Sequence, residues 1–439
     1  MRIKYIIASL LLISPAAFAQ QQLSLQQCIT VGLERNYTLR SSAASIQQTS
    51  GAMTAAFGQF LPGASVNAGY NRNLDGSQSL FFTPEGVRSS AFSYSLSGSV
   101  NYTIFNGFSN TAGYNQASKN YDASEFSYQR TRQDIMYQIV QDYLNVERTE
   151  QLMKAQEDNL KVGKDQLDMV NAQYQVGAVP QANVFTQETQ VANDQVAYIQ
   201  AKNAWDVARN NLVALIGLDP VNEYTFTSND LPTEISGDDE KAFRQKIGDI
   251  QTAVARALDE RPDVTASRSQ IEAAQSSVTV ARSGYYPSVS ASVSYGWRND
   301  QFSDFSALSS TSLGVNLSMP IFDKFQTNSQ IESADASYQV DQANYDQLVQ
   351  TVRTEVKQSY YDLEAAEEQL DATKTAQDAA EENRRTAEER YKVGAGTELD
   401  FLTAQSQYLT AAVNRINAVY SYLGVQYEVQ YMTGVLTGK

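Results

Sequence analysis

Two spacings of apolar residues divide the chain. Tyr345, Leu348, Val352, Val356, Tyr360 and Leu363 step by three or four residues, which lays a single stripe along a helix. That stripe lies within 324–393, a window with neither proline nor glycine. The window 108–179 is also free of proline and equally rich in Ala, Gln, Glu, Asp, Lys and Arg. Strong helix formers without breakers predict one helix in each, about 100 Å long at the α-helical rise. Shorter helical windows follow at 181–219 and 395–432.

Between these windows the spacing drops to two. Val66, Ala68 and Tyr70 alternate with Ser65, Asn67 and Gly69. Tyr94, Leu96, Val100, Tyr102 and Ile104 alternate with serines, Asn101 and Thr103. The same alternation returns at 288–298 and 312–319. Period two predicts four strands, paired across loops at 71–92 and 299–311. Their polar faces carry Ser, Asn and Gly, with Arg298 the one charged residue among them. Such a face suits a watery lumen, and the apolar face opposite it suits lipid. Phe81, Phe82, Phe92, Phe105, Trp297, Phe302, Phe305 and Phe322 lie near the strand ends, where they are expected to form interfacial girdles.

The plan is written twice. Tyr174-Gln-Val-Gly-Ala178 returns as Tyr391-Lys-Val-Gly-Ala395, and Ile104-Phe105 returns as Ile321-Phe322, each 217 residues later. Upstream, Glu34-Arg35 is echoed by Glu260-Arg261 at a shift of 226, so the first half carries about eight extra residues between Tyr70 and Asn101. The expected division is a signal peptide at 1–19, a first repeat at 20–217, a linker at 218–247 and a second repeat at 248–439.

Composition narrows the classes. Arg2 and Lys4, an apolar run and Ala17-Phe-Ala19 predict an export signal cleaved after Ala19. No other apolar run reaches the length of a membrane helix, so entry into a membrane would be by strands. The net charge of −16 argues against a nucleic-acid partner. It suggests a negative field along a lumen. Cys28 is the only cysteine and there is no histidine. Phosphate loops, metal-ligand spacings and nucleophile–base pairs are missing too, so no cofactor, metal or catalytic residue is expected and the chain is not read as an enzyme.

Four strands cannot close a barrel, and open edges are not tolerated in lipid. Several chains must pool strands. Two chains give eight and leave little room inside, whereas three give twelve and space for water.

Taken in order, Leu25-Gln-Gln-Cys-Ile-Thr-Val-Gly-Leu-Glu-Arg-Asn36, Phe60-Leu-Pro62, Ile104-Phe-Asn-Gly107, the two Tyr-x-Val-Gly turns, Leu215-Ile-Gly217, Tyr286-Pro287 and Pro320-Ile-Phe-Asp323 resemble the TolC family of outer-membrane exit ducts over about residues 23–434. The resemblance implies a mainly α fold: a long periplasmic helical barrel with a constricted tip, and four strands per chain pooled into a twelve-stranded β-barrel in the outer membrane of a Gram-negative bacterium. It implies a homotrimer, a periplasmic adaptor protein, an inner-membrane pump of RND, ABC or MFS type, and cargo that is a drug, a small molecule or a secreted protein.

The breaker clusters Val176-Gly-Ala-Val-Pro180 and Val393-Gly-Ala-Gly-Thr397 predict sharp turns between helices, with Gly ending one helix and Pro180 or Thr397 starting the next. The resemblance makes them the adaptor-docking tips, with Tyr174, Val176, Gly177 and Ala178 in one and Tyr391, Val393, Gly394 and Ala395 in the other. It places the gate constriction just beyond, at Asp400, Thr403 and Asn183. Only Asp400 of these is acidic, so a trimer would carry three charges there. Arg390 or Lys392 is a candidate to pair with a neighbouring carboxylate and hold the tip shut. The competing reading is an exported coiled-coil stalk or scaffold, which explains the helices but not the serine-faced strands.

Overall fold

The computed structural model describes residues 22–83, 86–227, 231–232, 235–303, 305–306 and 308–436. The expected signal peptide lies outside them. Two compact units are built from interleaved segments: one from the residues up to Arg40, Arg132–Ala255 and Glu355 onward, the other from Ser41–Thr131 and Arg256–Thr354.

The duplication shows in element lengths. Helices α1 (Leu25–Arg35) and α2 (Tyr37–Gly58) lead into strand β2 (Gly63–Arg72), and β5 (Phe92–Asn106) leads into α3 (Ser109–Gln175) and α4 (Gln181–Leu215). In the second half α6 (Ile250–Glu260) and α7 (Pro262–Arg282) lead into β7 (Ser288–Asn299), and β8 (Ser309–Ser318) leads into α8 (Gln326–Lys392) and α9 (Glu398–Met432). Both α3 and α8 have 67 residues, and both α4 and α9 have 35.

Two segments depart from the sequence reading. The loop at 71–92 contains a hairpin, β3 (Ser79–Thr83) with β4 (Gly86–Ser90). Its strands are five residues each, too short for a periodicity to stand out. The segment 218–247 contains β6 (Thr225–Phe226), parallel to β1 (Gln22–Leu23), and α5 (Gly237–Ile247). Ser236 and Asp239 form a capping box at the start of α5, whose Phe243 and Ile247 are buried.

In the first unit the stripes find partners. Ile139, Val140, Tyr143 and Val146 of α3 are buried, as are Val356, Tyr360 and Leu363 of α8. Tyr143 and Tyr360 stand 217 residues apart and do the same work: each hydroxyl donates to a main-chain carbonyl of the connecting segment, Thr227 O for Tyr143 and Ile247 O for Tyr360. Cys28 is fully buried and free, and burial pushes its thiol up to about 12, so it is an inert packing residue.

In the second unit the four long strands form one antiparallel sheet in the order β2-β5-β7-β8. The register places Ser65 opposite Ser99, Ser99 opposite Ser294 and Ser294 opposite Ser312, a row of hydroxyls across all four strands. Ser65 and Ser99 are hydrogen-bonded at 3.0 Å, and Ser294 and Ser312 at 2.7 Å. The other face carries Val66, Val100, Val293, Leu313, Val315 and Leu317, all exposed. Strands β2 and β8 are the sheet's edges.

The expected girdle needs correction at two positions. Trp297 is 2% exposed, packed by Phe302 and Phe305 of the β7–β8 loop, and Phe81 is 5% exposed. Phe302 and Phe305 pack the loop onto the strand at this end, whereas Phe82 and Phe92 stay exposed there and Phe322 stays exposed at the opposite end of β8.

Candidate functional site: the paired hairpin tips

Both helical hairpins turn by one device. At Gly177 the backbone is left-handed (φ +76°), its N–H donates to Tyr174 O at 2.9 Å, and the Ala178 N–H donates to Gln173 O at 2.8 Å. At Gly394 φ is +73°, and the matching bonds run to Tyr391 O at 3.0 Å and from Ala395 to Arg390 O at 2.8 Å. This pair of bonds closes a helix end only when the residue after the cap can adopt positive φ, which glycine does without a Cβ penalty. Around each glycine the space is open, with no atom within 4 Å of an added Cβ. Beside them Val176 and Val393 are 80% and 78% exposed. Tyr174 and Ala178 are exposed as well.

The next helices begin differently. Pro180 caps α4 without a side-chain bond, whereas Thr397 caps α9 with a full capping box. The other half of that box is Asp400. Its carboxylate accepts from the Thr397 hydroxyl at 2.7 Å and the Thr397 N–H at 3.1 Å, and these bonds hold it below the usual carboxylate range. The Thr-x-x-Asp spacing carries that signal in the sequence. Asp400 and Thr403 are both exposed.

Asn183 takes a partner from the other half of the chain. Its amide donates to Glu398 Oε2 at 2.8 Å, joining the first turns of α4 and α9. Burial raises the Glu398 carboxyl, partly offset by this bond. Nearby, the Tyr391 ring stacks on Phe401 with centroids 6.1 Å apart and planes at 14°, and the Tyr391 hydroxyl donates to Gln173 Oε1 at 3.4 Å. Lys392 pairs within its own helix, with Glu388 at 2.6 Å. Glu398, Phe401 and Gln173 are the tip residues that sequence reasoning missed. Their contacts span about 215 residues or link adjacent helices, and no local pattern reports such pairs.

Behind the tips α3, α4 and α9 form a cavity of about 140 Å³ whose amide side, with Asn159, Gln166, Gln187 and Gln405, faces an apolar side with Val162, Phe401, Leu402 and Leu409. Gln187 is fully buried and donates to Gly163 O at 2.9 Å; Gln405 donates to Asn159 Oδ1 at 2.8 Å. Among the described residues no group of three or more His, Cys, Asp or Glu is placed to hold a metal ion.

The sequence profile described as "Outer membrane efflux protein" matches residues 29–218 and 253–435. Protein CyaE of Bordetella pertussis is 24% identical over 402 residues, covering 90% of this chain and 81% of its own length. The pyoverdine export outer membrane protein OpmQ of Pseudomonas putida is 24% identical, covering 89% and 80%. Outer membrane protein TolC of Escherichia coli is 24% identical, covering 91% and 80%. Among solved structures, the outer membrane protein VceC of Vibrio cholerae superposes with a TM-score of 0.78 at 20% identity, covering 93% of this chain and 96% of that one. The Campylobacter jejuni CmeC outer membrane channel does so at 0.78 and 20%, covering 93% and 85%.

Proposed function

The chain belongs to the outer membrane efflux protein family, and from that premise we propose that three copies form a passive exit duct for a tripartite efflux pump or a type I secretion system. The family consists of outer-membrane channels, which are not enzymes, and sets the protein in the outer membrane of a Gram-negative bacterium with its helical part in the periplasm. No helix among the described residues is long and apolar enough to cross a membrane. The strands are left to do so.

The observation that carries the reading is the four-stranded sheet. One face is apolar and exposed, the other is a serine ladder, and its two edges lie on β2 and β8. In lipid those edges must be paired. Pairing β2 of one copy with β8 of the next closes twelve strands when three copies join, which leaves an aqueous lumen lined by hydroxyls. The relatives named for efflux and export support transport as the activity. A periplasmic adaptor docking on the Gly177 and Gly394 turns, and an inner-membrane pump behind it, complete the assembly.

Gating follows from the same tips. The Asn183–Glu398 bond ties the second-half hairpin to the first-half one, while the Tyr391–Phe401 stack holds the two arms of the second-half hairpin together; opening a passage by moving that hairpin means breaking the Asn183–Glu398 bond. Asp400 and Thr403 would line the passage, with the Asp400 charge kept ionised by its cap.

The test is purification in detergent followed by planar-bilayer recording. A trimer that conducts ions is the expected result. A stable water-soluble monomer without detergent overturns the duct and returns the stalk reading.

A further inference from the structure

We propose that the hairpin β3–β4 folds over the pore-facing side of the barrel and carries an apolar constriction, formed by Leu80, Phe82 and Val87, into the outer mouth of the channel. The inference rests on the duct reading of the protein and adds a second narrowing, on the side away from the helices.

Strand parity decides which way the hairpin folds. Along β7, Ser290, Ser292, Ser294, Gly296 and Arg298 share one face, and Val289, Ala291, Val293, Tyr295 and Trp297 share the other. Ser93 lies on the same serine face, because Ser95 is opposite Arg298 and Ser99 is opposite Ser294. The hairpin touches this face. The Arg298 guanidinium donates to Ser79 Oγ of β3 and to Ser93 Oγ of β5, both at 3.4 Å. It also lies 5.9 Å from the centroid of the Phe81 ring. Arg88 of β4 approaches Asp300, just beyond β7, at 3.8 Å. Phe81 and Ser93 are buried by the arrangement, at 5% and 4% exposure. The short β7–β8 loop goes the other way, its Phe302 and Phe305 packing on Trp297.

Within the hairpin the register sets Phe81 opposite Arg88 and Phe82 opposite Val87. Ser79, Phe81 and Arg88 therefore face the barrel wall. Leu80, Phe82 and Val87 face away from it, at 61%, 71% and 59% exposure. With the wall behind the hairpin, away from the wall means toward the pore axis. Three copies would bring nine such side chains to the mouth of a lumen otherwise lined by serine, asparagine and glycine. Apolar constrictions of this kind resist ion passage by shedding water.

The chain suits a cysteine test, since Cys28, its only thiol, is fully buried. Phe82→Cys, in the full-length trimer in a bilayer, is treated from the outer side with a negatively charged, membrane-impermeant thiol reagent. Single-channel current is then expected to change by roughly two-fold. Leu313→Cys, on the exposed apolar face, should be shielded by lipid and give no change. A triple serine replacement of Leu80, Phe82 and Val87 should raise conductance by a similar factor; the three side chains are exposed, so the fold does not depend on them. Labelled Phe82→Cys with unaltered current, together with unaltered conductance in the serine variant, overturns the constriction while the duct stands. A wild-type protein that does not conduct overturns both.

Discussion

The Asn183 amide and the Glu398 carboxylate meet at 2.8 Å, although 215 residues separate them in the chain. They join the starts of α4 and α9, the two points where the hairpins resume after their turns. A single hydrogen bond to a charged acceptor there contributes on the order of 1–3 kcal/mol. Asn183→Ala or Glu398→Ala should therefore raise the open-to-closed ratio of the channel by about five-fold or more. Single-channel dwell times measure this, and the double variant should add little to either single one. Strict additivity would mean that the pair does not act as a lock.

The two tip glycines allow docking to be separated from folding. An added Cβ at Gly177 or Gly394 meets nothing within 4 Å, so a larger side chain disturbs no packing. The backbone penalty for positive φ is about 1–2 kcal/mol. Gly177→Glu and Gly394→Glu should leave trimers in the membrane and abolish export. Normal export in both variants would remove the tips from adaptor docking.

The strand-to-helix junctions repeat a costly backbone. Gly107 and Phe108 have φ of +64° and +69°, and their counterparts 217 residues later, Lys324 and Phe325, have +59° and +64°. Glycine is required in the first copy, because a Cβ on Gly107 would lie 2.7 Å from both Ser283 O and the Tyr286 Cβ. In the second copy a lysine bears the strain. Lys324→Gly should stabilise the protein by about 1 kcal/mol and Gly107→Ala should destabilise it by more. Thermal unfolding in detergent reads both.

Glu147 predicts a pH dependence. It is fully buried with no hydrogen-bond partner on either carboxylate oxygen, and burial, aided by the Glu150 charge and opposed by Lys154, pushes its pKa up to about 7. The unfolded carboxyl, near 4.5, loses its proton first as pH rises. The native state then holds a proton that the unfolded state lacks, so stability falls between about pH 4.5 and 7 and stays lower above it, by about 3 kcal/mol. Glu147→Gln should melt higher than the parent at pH 8 and about level with it at pH 4.5. Equal melting differences at both values would show that Glu147 stays ionised in the fold.

Much of the fold was legible because its signals are long or repeated. A helical window of about seventy residues without breakers leaves little competition, and Gly followed by Ala after Tyr-x-Val marks a helix end twice. The site was less legible. The sequence offers Asp400 as a lone charge near a constriction, and the structure shows it completing the Thr397 cap. Glu398, the residue that reaches Asn183, carries no motif. The β3–β4 hairpin also escaped, since five-residue strands in a polar loop look like loop.

The sequence by itself determined the duplication, the helical hairpins and their glycine turns, and strands with one apolar and one serine face, because each depends on neighbours within a few turns or on a fixed period. Only the tertiary structure decided that Ser65, Ser99, Ser294 and Ser312 fall in one row, that Asn183 finds Glu398, that Tyr143 and Tyr360 anchor the connecting segment, and that Phe81 lies against Arg298 on the polar side of the sheet. Each of these is set by strand register or helix packing, which bring together residues far apart in the chain, and local periodicity carries no record of such pairings.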